Sequence, residues 1–122
     1  MSKNDHADLK VQFKYPLITI AVAFENLDAV KFLVEQKGMN VNETSLNKET
    51  ALIRACHFNK IEIIWYLLNR GADVELRTSQ DVTALQTAIY RKKLPIIEEL
   101  LLHGAEINLE SKNKQIIELI KA

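Results

Sequence analysis

Apolar positions along the chain fall into runs of helical spacing, and each run is closed by a glycine. Ile18, Ala21 and Val22, then Leu27, Val30, Leu33 and Val34, recur on one helical face up to Gly38. Leu52, Ala55 and Cys56, then Ile61, Ile64, Leu67 and Leu68, repeat the pattern up to Gly71. Leu85 and Ala88, then Leu94, Ile96, Ile97, Leu100 and Leu101, repeat it up to Gly104. These are the chain's 3 glycines, and the interval from the first to the second equals that from the second to the third. Glycine just past a helix end supplies the left-handed backbone that other residues adopt only at a cost. The pattern therefore predicts a helix, a turn, a second helix, a glycine stop and a short extended return, three times over.

Punctuation residues place the ends of these elements. Pro16 is expected in the first turn of the first helix, where its missing N–H is no loss. Thr50 and Thr83, separated by the same interval as the glycines, read as N-caps. Asn59 is a turn residue, and Pro95 opens the second helix of the third unit. The first unit matches at one residue more than this interval up to Leu27 and regains step at Gly38, as though a residue were inserted near Lys37. Before these units lies a polar segment, 1–14, with an alternating extended stretch at Leu9, Val11, Phe13 and Tyr15. After them Ile117, Leu119, Ile120 and Ala122 begin a fourth copy, read as a terminal capping helix over 110–122. Neither helix of a unit can bury its apolar face alone, so successive units must stack into one core. Small residues at the same point of each first helix, Ala21, Ala55, Ala88 and Ala122, permit close helix contact.

Two stretches carry a resemblance. Thr50-Ala51-Leu52-Ile53-Arg54-Ala55 and Thr83-Ala84-Leu85-Gln86-Thr87-Ala88 resemble the Thr-Pro-Leu-His-x-Ala signature of ankyrin repeats. Gly71-Ala72-Asp73-Val74-Glu75 and Gly104-Ala105-Glu106-Ile107-Asn108 resemble the Gly-Ala-Asp-Val-Asn ending of those repeats, and Gly38-Met39-Asn40-Val41-Asn42 is a looser copy. The resemblance implies an all-α ankyrin-repeat solenoid of stacked helix-turn-helix units with short hairpin loops. Its repeats would span 15–43, 44–76 and 77–109, followed by the terminal helix. The departures bear on stability. Ala replaces Pro in both clear copies, and the His place holds Thr19, Ile53, Gln86 and Ile120. The Gly-His between the helices becomes Glu25-Asn26, Asn59-Lys60 and Lys92-Lys93, so the turns lack glycine's ease and the array is expected to be less stable than a consensus one.

Composition narrows the functional classes. The chain's 122 residues make one domain's worth, and with 48% hydrophobic residues it can build a core. Its 16 basic and 16 acidic residues cancel, so no bulk field points to nucleic acid or to a membrane surface. No apolar run approaches the roughly 20 residues of a membrane span. Cys56 is the sole cysteine, which fits a reducing, intracellular setting, cytoplasmic or nuclear. It occupies a small core position, matched by Val22 and Ile89, and reads as a small hydrophobe. His6, His57 and His103 have no metal-ligand spacing, and no glycine-rich loop is present to cradle a phosphate, so neither a cofactor nor an enzyme is expected.

Function is then expected in the residues that fail to repeat. In ankyrin arrays the hairpin tips and the exposed ends of the first helices line a concave groove that holds a protein partner. Carried over position by position, the resemblance puts Phe24 there from the first unit, and Thr44, Leu46, Asn47, Glu49, His57 and Phe58 from the second. From the third it puts Arg77, Ser79, Gln80, Val82, Tyr90 and Arg91, and from the last Lys112, Asn113 and Gln115. Phe24, Phe58, Tyr90 and Arg91 carry most weight, because aromatics and Arg are enriched among interface hot spots; local packing against the next unit is the competing reading for the two phenylalanines. Arg91-Lys92-Lys93 is the sole basic triplet, read as a solvated turn with docking to an acidic partner as the alternative, and Glu98-Glu99 lies near enough in sequence to neutralise it. Trp65 stands where the other units have Lys31 and Glu98, so a monomer is expected, with Trp65 as the candidate for weak self-association on the opposite face. An inhibitory or sequestering subunit, or the targeting part of a larger enzyme, are the alternative roles.

Overall fold

The computed structural model describes residues 16–107. The extended stretch up to Tyr15, the helix expected over 110–122, and Lys112, Asn113 and Gln115 lie outside the described residues. Among the described residues, six helices form three pairs: α1 (Leu17–Ala23) with α2 (Leu27–Glu35), α3 (Ala51–His57) with α4 (Ile61–Asn69), and α5 (Ala84–Tyr90) with α6 (Leu94–Leu102). Every first helix has 7 residues and every second helix 9, so the pairs are copies in length as well as in pattern.

The helix starts follow the capping residues. Thr50 accepts the Ile53 N–H at 3.1 Å, and Thr83 accepts the Gln86 N–H at the same distance. Gln86 returns the bond to the Thr83 N–H at 3.1 Å, completing a capping box. The residue that replaces the signature histidine in this unit thus finds a local hydrogen bond. Thr19 does so too, donating to the Pro16 carbonyl at 2.7 Å, whereas Ile53 is simply buried. Pro16 itself stands at the N-cap, one residue earlier than expected, with φ −66° and ψ 158°, and the helix begins at Leu17. Its ring lacks a cap acceptor, so only its carbonyl serves the helix, taking the Thr19 and Ile20 N–H groups.

The stops are as the glycine spacing predicts. Gly38, Gly71 and Gly104 all have positive φ, at 67°, 88° and 91°. The extra residue near Lys37 is visible as a wider turn. In the second and third units Ala72 and Ala105 donate back to the carbonyls of Leu67 and Leu100; in the first, Met39 reaches one residue further back, to Leu33, at 2.9 Å. The inter-helix turns also need left-handed backbone. Glu25, Asn59 and Lys92 adopt it without glycine, with φ of 58°, 59° and 59°.

Stacking makes two layers, α1, α3 and α5 against α2, α4 and α6, and the first layer supplies most of the contacts between units. Ala55 and Ala88 are fully buried and Ala21 nearly so, which is what lets these helices approach. One continuous apolar cluster runs through all three units, including Ile18, Val30, Leu52, Ile64, Leu67, Ile96 and Leu100. Cys56 lies inside it, and burial pushes its thiol up to about 12, so it packs rather than reacts. Polar ties join neighbouring units at their edges. Asn42 accepts the Asp73 N–H at 2.8 Å, and Glu75, its counterpart in the next unit, accepts the Glu106 N–H at 2.9 Å. Tyr66 donates to Glu35 at 2.6 Å, and Lys60 pairs with Glu25 at 2.9 Å.

Candidate functional site

The hairpins between units are built alike. Ser45 N–H donates to the Glu49 carbonyl at 3.0 Å, and Thr78 N–H to the Val82 carbonyl at 2.9 Å. Inside each loop a hydroxyl, Ser45 Oγ or Thr78 Oγ1, accepts the N–H of that same Glu49 or Val82. Lys48 and Asp81 supply the left-handed residue such loops require, with φ of 66° and 68°. Ser79 N–H then donates to the Asn47 carbonyl at 2.9 Å, tying one tip to the next. The tips therefore form a fixed edge, from which α3 and α5 start at the caps Thr50 and Thr83.

Between the tips and α3 and α5 lies a cleft of about 250 Å³. It is lined by Asn47, Glu49, Ile53, His57, Thr78, Ser79, Gln80, Val82 and Thr87. Six residues singled out in the sequence, Asn47, Glu49, His57, Ser79, Gln80 and Val82, meet here. Ile53, Thr78 and Thr87 escaped sequence reasoning as groove residues. The available signal was helical: Ile53 precedes His57 by one turn on the same face.

At the rim of this cleft the polar groups are ordered in series. Arg54 donates twice to Oε1 of Glu49, at 2.8 and 3.2 Å, and its guanidinium lies 5.6 Å from the Phe58 ring centroid. The Phe58 and His57 rings meet edge to face, 4.9 Å apart at 83°. Nη2 of Arg91 lies against His57, 3.2 Å from Nδ1 and 3.1 Å from Nε2, so the unprotonated ring nitrogen can accept its N–H. Burial, then the neighbouring charge of Arg91, hold the imidazole below its ordinary pKa, and Glu49 opposes them. Arg77 pairs with Asp81 at 3.3 Å across its own hairpin.

The aromatic candidates divide. Phe24 caps α1 with 79% of its surface exposed, so packing against the next unit does not account for it. Phe58 is 38% exposed and packed on His57 and Arg54 of its own unit, and Tyr90, ending α5, is 59% exposed. Leu46 projects from a hairpin tip at 66% exposure. Trp65, on α4 of the other layer, is half exposed. Glu99 approaches His103 at 3.9 Å, and among the described residues neither it nor Glu98 pairs with Arg91, Lys92 or Lys93.

A second depression, of about 360 Å³, is apolar and has a structural explanation. Leu85, Ile89, Ile97, Leu101 and Ile107 line it. In the second unit their counterparts are Leu52, Cys56, Ile64, Leu68 and Val74, all of which are buried. It is the stacking face of the third unit. Among the described residues no group of three or more His, Cys, Asp or Glu side chains is placed to hold a metal, and no helix is long and apolar enough to cross a membrane.

Comparison with known proteins agrees with this architecture. A family model described as ankyrin repeats, in 3 copies, matches residues 18–111. The mouse serine/threonine-protein kinase TNNI3K is 38% identical over 52 residues, covering 43% of this chain and 6% of the kinase. Mouse ankyrin repeat and SAM domain-containing protein 6 is 42% identical over 62 residues, 51% of this chain and 7% of that protein. Alpha-latrotoxin-Lg1a of Latrodectus geometricus is 34% identical over 68 residues, 54% of this chain and 5% of the toxin. The chain thus spans less than a tenth of the length of these relatives. The human ASB11 ankyrin repeat domain, a crystal structure, superposes with a TM-score of 0.69 at 31% identity, covering 76% of this chain and 42% of that one. Repeats of this kind are protein–protein interaction modules and are generally non-catalytic. With its fixed repeat length, stacked helix pairs and matching family model, the chain belongs to the ankyrin repeat family.

Proposed function

We propose that the chain recognises a partner protein through the groove formed by its hairpin tips and the ends of α1, α3 and α5. The observation that carries this reading is convergence. Asn47, Glu49, His57, Gln80 and Val82 differ from unit to unit in the sequence, yet they line a single cleft. Exposed Phe24, Phe58 and Tyr90 stand at the ends of α1, α3 and α5 and offer large apolar surface at low entropic cost, the property of interface anchors. Arg77 and Leu46 extend the same edge, and Lys112 is proposed to extend it beyond the described residues. The chain acts as a monomer in an intracellular setting, with Trp65 the place for any weak self-association. The reading is supported by a scaffold whose tips are hydrogen-bonded to one another before any partner arrives.

The test is an affinity pull-down with the intact chain beside a Phe58→Ala, Tyr90→Ala double variant. Partners captured by the wild type and lost by the variant are expected. Equal recovery by both, with unchanged helical circular dichroism, would sink the groove as the binding face. Blocking of the captured partner's activity by added chain would mark the role as sequestering, and relocation alone would mark it as targeting. The kinase and SAM-domain names among the relatives favour targeting as the second reading.

A further inference from the structure

We infer that the partner segment held in this groove is acidic, and that one of its carboxylates docks on the guanidinium of Arg91. The inference rests on the groove reading above and names the chemistry of its occupant. It starts from the charges at the rim. Glu49 is satisfied by Arg54, and Asp81 by Arg77, at 2.8 and 3.3 Å. Both carboxylates of the groove edge are therefore neutralised within the chain. Arg91 is different: the contact it makes is to the His57 imidazole, a neutral acceptor. Among the described residues no carboxylate lies within ion-pairing distance of Arg91, Lys92 or Lys93. The groove thus ends on Arg91, with no internal counterion among those residues, at a corner flanked by the exposed Tyr90 ring, and Lys92 and Lys93 follow on the turn.

Geometry makes Arg91 the reader among the three. Its guanidinium is held by Nη2 against the ring nitrogens of His57, and His57 is itself packed on Phe58, so the fork is pre-positioned. Nη2 keeps a second N–H, which with Nη1 or Nε leaves one two-donor face of the guanidinium for a ligand. An arginine fork matches a carboxylate through two parallel N–H donors, and a fork already in place loses less entropy on binding. Lys92 and Lys93, on the adjoining turn, add attraction at longer range and steer an acidic segment toward the same corner. Apolar side chains next to the acidic residue would rest on Tyr90 and Phe58.

The test selects short random peptides displayed on phage against the intact chain, then measures synthetic versions by fluorescence polarisation. Selected peptides are expected to be enriched in Asp and Glu beside an aromatic or aliphatic residue. Arg91→Gln is expected to weaken them about tenfold and to flatten their salt dependence. Arg91→Lys keeps the charge without the fork and should recover only part of the loss. The substituted side chain is exposed, so thermal melts should confirm an intact fold for both variants. Peptides that bind wild type and Arg91→Gln equally, yet fail on the Phe58→Ala, Tyr90→Ala variant, would overturn the acidic ligand and leave the groove standing. Peptides bound equally by every variant would overturn both. A phosphoserine peptide binding more than about tenfold tighter than its aspartate version would replace carboxylate with phosphate as the ligand.

Discussion

His57 occupies a place where three influences on one imidazole can be separated. Partial burial removes water from it, Arg91 and Arg54 add positive charge, and Glu49 opposes them. Burial leads, and the result is a pKa below the ordinary 6.5. Folding therefore favours the neutral ring, and the unfolded chain binds the proton at higher pH than the folded one. The stability this contributes is complete above pH 6.5 and is lost as pH falls through the folded-state midpoint. An NMR titration of the ring is expected to show a midpoint below 6.5 that moves upward in Arg91→Gln, without reaching the ordinary value, because burial remains. A midpoint unmoved by that substitution would mean that the two groups are apart in solution. Protonation also sets a second positive charge beside Arg91, so the residue that positions the fork does so only while it is neutral.

At the scale of the element, the turns between paired helices carry an avoidable cost. Glu25 and Lys92 hold φ near +59° in a place where side chains with a Cβ are strained by about 1–2 kcal/mol. Asn59 holds the same conformation, which asparagine as a residue type tolerates better. Lys92→Gly is expected to raise stability by about 1 kcal/mol in urea denaturation, after allowance for the greater freedom of glycine in the unfolded chain. Asn59→Gly should gain only a few tenths of that. Equal gains at both would show that the strain is not set by residue type. These turns also show what was legible in the sequence. The regular beat of the repeats, the caps at Thr50 and Thr83 and the three glycine stops follow from local preferences, which a sequence displays directly. Pro16 lies one position from its expected place: its fixed φ is compatible with the N-cap as well as with the first turn, and its extended ψ of 158° puts it outside the helix. The cleft was half legible. Asn47, Gln80 and Val82 stand out by failing to repeat, whereas the seating of Arg91 on His57 joins side chains of different units and depends on how those units stack.

The described residues form a short stack in which each unit packs on its neighbours, so position along the stack should decide what a core defect does. Leu67 and Leu100 occupy the same place in successive units, and both are fully buried. Replacing either by Ala removes the same groups and leaves a similar cavity, at a cost of about 2–5 kcal/mol. The consequences differ because α4 is packed against both α2 and α6, while among the described residues α6 is packed only against α4 and α5. A defect in the middle unit weakens two interfaces at once and must be felt by the entire array. A defect in the third unit can be relieved by opening α5 and α6 while the first two units stay folded. Leu67→Ala is therefore expected to lower the midpoint of urea unfolding with one cooperative transition and to speed amide exchange in all three units. Leu100→Ala is expected to speed exchange chiefly in α5 and α6 and to broaden the transition, with an apparent m-value below wild type. Identical exchange patterns for the two variants would show that coupling between units exceeds the stability of any one of them, and that the stack unfolds as a single unit. That distinction bears on recognition, because the cleft spans the second and third units: if the third opens alone, the Arg91 end of the groove is the part that must be ordered when a partner binds.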